Sequence, residues 1–194
     1  MSTKIKFSND VSNAEEEAKG SDGRFNVSSR SDSRAYYNSR DEQLVFSVAW
    51  NFNTAEAGEY AVYWRNASDS KTLVIDSIGL NGELGTRFKL WYVTGTATSG
   101  TELTPINLNK SSSRAAPDDA VVMAMEGGSA GTGIGGLSTD GLIDFVTTGG
   151  ADGHEELRLK DRLRLGQNDA IAIEVEELTT TAKDVFGVIF GYYE

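Results

Sequence analysis

The chain has 194 residues, 39 % of them hydrophobic and 9 % aromatic, enough to bury a core without covalent staples. It contains no cysteine, so disulfides and thiolate metal sites are excluded. A formal charge of −11, from 29 acidic and 18 basic residues, argues against nucleic acid as a partner, because phosphate binding rests on clustered Lys and Arg.

The opening "MSTKIKFSND" lacks the apolar run of a signal peptide, and no stretch approaches the length of a membrane span. The expectation is synthesis in a cytoplasm and no membrane partner. Residues 1–42 are rich in Ser, Asn, Asp, Glu and Arg and carry only spaced apolar anchors, among them Ile5, Phe7, Phe25, Tyr36 and Tyr37. Such a segment buries too little to form a core of its own. It is expected to be an extended arm that orders on a partner surface through those side chains, with a short helical turn from Asn13 to Lys19. Two sequons, at Asn26 and Asn66, are read as chance matches.

From residue 43 to 194 short apolar runs alternate with Gly, Asn, Asp and Ser, and no helical period is sustained. "LVFSVAW" places Leu44, Phe46, Val48 and Trp50 on one face of a strand, "EYAVYWRN" does so with Tyr60, Val62 and Trp64, and "TRFKLWYV" with Phe88, Leu90 and Tyr92. "KTLVIDSIGLNG" ends in Asn81-Gly82, a hairpin turn signal. Between Glu156 and Leu165 leucines alternate with charges, except that Asp161 interrupts the apolar row and suggests a bulge or a kink. Ile171, Ile173 and Val175 form the inward row of the next strand. With "AVVMAME", "LIDFV" and "DVFGVIFGYY" the pattern predicts about nine strands without crossover helices. That means an all-β domain, an antiparallel sandwich of jelly-roll type.

Three features invite a chemical reading. His154, the one histidine, precedes Glu155 and Glu156, but neighbouring residues of a strand project to opposite sides and zinc wants three or four ligands. It is read as the entrance to a strand, with no nucleophile-elbow pattern to pair it with. "GTGIGG", from Gly131 to Gly136, matches the dinucleotide fingerprint formally, yet a strand-like run follows where a helix is needed. Asp118, Asp119, Asp140, Asp144 and Asp152 lie near loops without the spacing of a calcium loop and are read as solvated acids. No catalytic, cofactor or metal residues are assigned.

The closing "DVFGVIFGYYE" is apolar on both faces. Phe186, Val188, Phe190 and Tyr192 make one row; Val185, Ile189 and Tyr193, spaced by Gly187 and Gly191, make the other. A strand of that kind is covered on both sides. The row Val185, Gly187, Ile189, Gly191 and Tyr193 is taken as an oligomer interface, its glycines admitting another backbone.

"TRFKLWYVTGTATSGTELTPINLN", "GGLSTDGLIDFV", "GHEELRLKDRLRLGQNDAIAIEVEE" and "GVIFGYYE" resemble a group of tailed-phage virion proteins, head decoration or related structural proteins with a β-sandwich domain. The resemblance covers about residues 44–194 and leaves out the arm. It implies a non-enzymatic, cofactor-free homo-oligomer, commonly a trimer, on the outside of the capsid and bound to the major coat protein, with no site motif to carry over. The alternative is a carbohydrate- or receptor-binding module of a tail or fibre, whose sign is exposed aromatics; Tyr36, Tyr37, Trp64 and Trp91 are the candidates.

Overall fold

The computed structural model describes residues 6–8, 15–17, 44–54, 59–82, 85–116, 121–124, 133–148, 153–177 and 183–194. The chain divides into two compact units, Met1–Ser33 and Arg34–Glu194. In the first, β1 (Lys6–Ser8) pairs antiparallel with β2 (Glu15–Glu17). The expected helical turn is therefore corrected at Glu15–Glu17, which is strand. Of the five arm anchors only Phe7 is among the described residues, its backbone opposite Glu16; Ile5, Phe25, Tyr36 and Tyr37 lie outside them.

In the second unit the strands are β3 (Val45–Thr54), β4 (Glu59–Arg65), β5 (Leu73–Gly82), β6 (Thr86–Gly95), β7 (Thr101–Glu102), β8 (Ile106–Asn107), β9 (Val121–Ala124), β10 (Leu137–Thr147), β11 (Gly153–Leu165), β12 (Ala170–Glu177) and β13 (Lys183–Tyr193). They form two antiparallel sheets, β11-β5-β13-β3-β8 and β10-β6-β12-β4-β9-β7. Among the described residues there is no helix. Four pairings are nested: β6 with β10, β5 with β11, β4 with β12, and β3 with β13. Successive pairs fall in alternate sheets, and β13-β5 and β12-β6 contacts join them. This is one long antiparallel ribbon wound over itself, the jelly roll that the alternating pattern leads to.

Side-chain period sets what lies between the sheets. Phe46, Val48 and Trp50 of β3, Ile75, Ile78 and Leu80 of β5, and Ile189 and Tyr193 of β13 meet Trp64 of β4, Phe88 and Leu90 of β6, and Ile171, Ile173 and Val175 of β12 in one buried cluster. Trp50 of one sheet lies against Phe88 of the other, ring centroids 6.3 Å apart. Irregularities fall where the sequence breaks period. In β11 the four residues Leu159 to Arg162, Asp161 among them, stand opposite the single Asp76 of β5. Asn81-Gly82 is not a hairpin turn: Asn81 pairs with His154 and Phe186 inside the sheet, and the chain then crosses to the other layer. A methyl on Gly82 would come within 3.2 Å of the Phe88 ring, so the glycine serves that tight crossing.

Two glycines of β13 face the core directly opposite aromatics of β3. Gly187 pairs with Trp50, and Gly191 with Phe46. A methyl at Gly187 would overlap the Trp50 ring and the Gly79 carbonyl, and one at Gly191 would come 2.9 Å from the Val74 carbonyl oxygen. The space that β13 gives up is filled by indole and phenyl from its neighbour, which keeps the layer at close-packed density. Gly187→Ala is expected to destabilise the domain by about 1–3 kcal/mol through overpacking, read from urea unfolding. Gly141→Ala on β10, where a methyl meets nothing within 4 Å, is the control and should leave the midpoint nearly unchanged.

Candidate functional site

The wound ribbon leaves two outer sheet faces and the ends of the roll. On the outer face of β11-β5-β13-β3 the register makes four cross-sheet rows. His154, Asn81, Phe186 and Asn51 form the first, and Glu156, Gly79, Val188 and Ala49 the second. Arg158, Ser77, Phe190 and Ser47 form the third, and Arg164, Val74, Tyr192 and Val45 the fourth. Tyr192 is buried with Val45 and Val74. Phe186 is 45 % exposed, while Val188 and Phe190 are half-buried. Around Val188 and Phe190 the lateral neighbours are Gly, Ser and Ala, so an apolar stripe runs along a central strand, with the His154 ring over Gly79 on its β11 side. Towards β11 the face becomes charged, with exposed ion pairs between Arg158 and Glu156 (2.7 Å) and between Arg164 and Glu194. Exposed pairs of this kind add little stability.

This arrangement corrects the facing assigned to β13. Val185, Ile189 and Tyr193 are buried in the domain's own core, and Gly187 and Gly191 are closed over by Trp50 and by strand β5. Period alone told the two rows apart but not which was inward; the aromatics of β3 select the row that contains glycine. The surface left for a partner is the other row, Phe186, Val188 and Phe190.

The outer face of the second sheet is polar. Lys89 bonds Glu174 and Glu176, both at 3.2 Å, Arg87 bonds Glu176 at 3.1 Å, and Trp91 Nε1 donates to Glu174 at 2.6 Å. These groups alternate across β6 and β12, whose register puts Lys89 opposite Glu174 and Arg87 opposite Glu176. The Lys89 ammonium holds the Glu176 carboxyl below its ordinary range. Burial alone would lower Lys89, but its bonds to Glu176 and Glu174 outweigh that and raise it. Tyr60 beside them is raised by burial and then by the Glu174 charge. A small apolar cluster of Tyr63, Val93, Ile134, Ala170 and Ala172 lies on the same face, with Ile134 as its cap, and at the β10 edge Leu142 and Phe145 are 48 % and 59 % exposed.

At one end of this sheet Arg65, Tyr92, Thr94, Asp140, Asn168 and Asp169 line a cleft of about 390 Å³. Burial raises the Tyr63 hydroxyl pKa, and the neighbouring Arg65 pulls it the other way.

The residues singled out in sequence are dispersed. His154 is the second residue of β11 and exposed; among the described residues no group of three or more His, Cys, Asp or Glu could hold a metal. Gly136 is followed by strand β10 and not by a helix, and Ile134 of that run packs onto the sheet. Asp140 and Asp144 are exposed on β10, whereas Asp118, Asp119 and Asp152 lie outside the described residues. Trp64 is buried and offers no surface ring; Trp91 is half-buried and tied to Glu174. Asn66 is buried: its Nδ2 donates to the carbonyls of Lys71 (2.8 Å) and Leu165 (2.9 Å), and its Oδ1 accepts from the Ser68 amide at 3.1 Å. That amide closes the β4–β5 connection against the end of β11. No family model matches the chain, and no curated protein or solved structure matches it either.

The Lys89 ladder has a definite pH signature. A depressed carboxylate contributes stability above its ordinary value of 4.5, and loses it as pH falls through the folded-state value. A raised ammonium contributes below its ordinary 10.5, and loses it as pH rises through the folded-state value. Lys89→Met should therefore cost about 1 kcal/mol at neutral pH. The gap to the unmodified protein should close in acid as Glu176 protonates, as checked by urea titrations across pH.

Proposed function

We propose that this chain is a structural protein of a tailed-phage virion, a decoration protein that self-assembles through its β13 face and binds the coat lattice on the capsid exterior. The observation that carries the reading is the outward stripe of Phe186, Val188 and Phe190, set among Gly79, Ser77, Ala49 and Ser47 in the middle of a sheet. A lone monomer gains nothing by exposing such a stripe, and small neighbours let another surface approach closely. The occupant is a second copy of this chain. Both charge signs border the stripe, Glu156 against Arg158 and Arg164, so a second copy can set its acid against the other's base.

The jelly roll by itself hosts unrelated functions. The virion part of the proposal comes from the sequence resemblance over residues 44–194, and the trimer from the same source. The acidic chain, without a basic patch, suits a place away from packaged nucleic acid. Cementing follows from mass action: a ligand that binds only assembled coat subunits stabilises the assembled state. The arm, with Ile5, Phe7, Phe25, Tyr36 and Tyr37, supplies apolar anchors for that contact.

Light scattering coupled to size exclusion should show a closed homo-oligomer at micromolar concentration, as identical subunits usually form. Phe190→Asp should shift it towards monomer, and Arg162→Ser, at an exposed position off the stripe, should not. A monomer in the unmodified protein contradicts self-assembly. On intact particles, antibody against residues 44–194 should label the head. Label on the tail alone, or none, contradicts decoration.

A further inference from the structure

We propose that the cleft between the ends of β4, β6, β10 and β12 binds a neutral saccharide. It lies on the other sheet from the β13 stripe, so the inference does not depend on the assembly reading and goes beyond it. Its volume, about 390 Å³, is within the range of small-molecule sites.

Three local devices bring its lining together. Asp140 is the extra residue of a bulge in β10: Thr139 pairs with Val93 and Gly141 with Tyr92, leaving Asp140 between them without a backbone partner. A bulge bends its strand and re-aims the side chain it carries. Asn168 takes a left-handed conformation, φ 68°, in the β11–β12 turn. That turn is held by Asn168 N donating to Asn66 O at 2.6 Å and by Gly166 N donating to Asp169 Oδ2 at 2.9 Å. Arg65, the last residue of β4, lines the cleft and is hydrogen-bonded to the Tyr63 hydroxyl. A guanidinium carries five N–H donors, more than one hydroxyl takes, so donors remain for a ligand oxygen. Tyr92, 38 % exposed at the end of the Phe88 and Leu90 row, is also in the lining.

The chemistry of this set selects the ligand class. One cation and two carboxylates make the lining net negative, which disfavours phosphate or sulfate. Two exposed carboxylates beside a guanidinium make a poor calcium site, since that ion takes six to eight oxygens and is repelled by the arginine. A polyol suits all of it. Its hydroxyls donate to Asp140 and Asp169 and accept from Arg65 and Asn168, because each hydroxyl is both donor and acceptor. The C–H face of a pyranose carries slight positive charge and meets the negative face of the Tyr92 ring.

Saturation-transfer NMR with the full chain tests this, using the methyl glycosides of glucose, galactose, mannose and N-acetylglucosamine, with inorganic phosphate and Ca²⁺ as rival probes. At least one glycoside should bind with a Kd of about 1 mM. Asp140→Asn and Tyr92→Ala should each weaken it about tenfold or more. Asp140 is exposed, so Asp140→Asn should keep the unmodified melting temperature, and Tyr92→Ala, which removes a mostly buried ring, is compared at a temperature where its melting curve shows it folded. Phe145→Ser, on the same sheet but outside the cleft, should leave binding unchanged. The proposal is overturned if none of the four glycosides binds, if both cleft variants bind as tightly as the unmodified chain, or if only phosphate or Ca²⁺ perturbs the cleft.

Discussion

The Trp50 ring over Gly187 is the contact on which the rest of the domain depends. It joins the first and last strands of the roll side by side, and through Phe88 it reaches the opposite sheet. Phe46 opposite Gly191 repeats the same large-against-small pairing and makes an edge contact with Tyr193, ring centroids 5.9 Å apart. With no side chain at either glycine, β13 lies central in its sheet with β3 and β5 on its two sides. Its other row is then forced outward. The exposed Phe186 and the half-buried Val188 and Phe190 are a consequence of how the core is filled.

Nested pairing gives the chain a second constraint. The outermost pair, β3 with β13, brings together strands far apart in sequence, so its contacts form at a high cost in loop entropy. Local fixings offset part of that cost. Asn66 ties the β4–β5 connection to the end of β11, and the backbone of Asn66 exchanges hydrogen bonds with Asn168 and Asp169 of the β11–β12 turn. The same fixings shape the cleft lined by Arg65 and Asn168, so the frame that closes one end of the roll also presents its polar groups.

Much of this was legible in sequence, for a physical reason. A half-buried antiparallel strand writes its facing into alternate residues, and the rows Leu44, Phe46, Val48, Trp50 and Ile171, Ile173, Val175 are buried as their period requires. Asp161 marked the irregularity in β11, read as a bulge or a kink, because a charge cannot hold a core position. Reading failed where period is ambiguous or long-range register decides. Both rows of β13 are apolar, so only the bulk of Trp50 and Phe46 across the ladder fixes which is inward. Asn81-Gly82 has turn chemistry, yet β11 and β13 claim it as strand. Trp64 was a candidate surface aromatic but fills the core, and Tyr92, not singled out, reaches the cleft. The cleft itself was invisible, since Arg65, Asp140 and Asn168 meet only through sheet register; the one local sign was the Asp-Gly at 140–141 inside an otherwise strand-like run.

The central claim is that β13 divides its two rows between core and partner. The cysteine-free chain allows single thiols to be placed along it and their labelling rates measured against protein concentration. Thiols at Phe186→Cys, Val188→Cys and Phe190→Cys should label readily in dilute protein and become protected as concentration rises. Val185→Cys and Ile189→Cys should stay protected throughout. Equal labelling at 188 and 189, or outward-row rates that do not change with concentration, would contradict it.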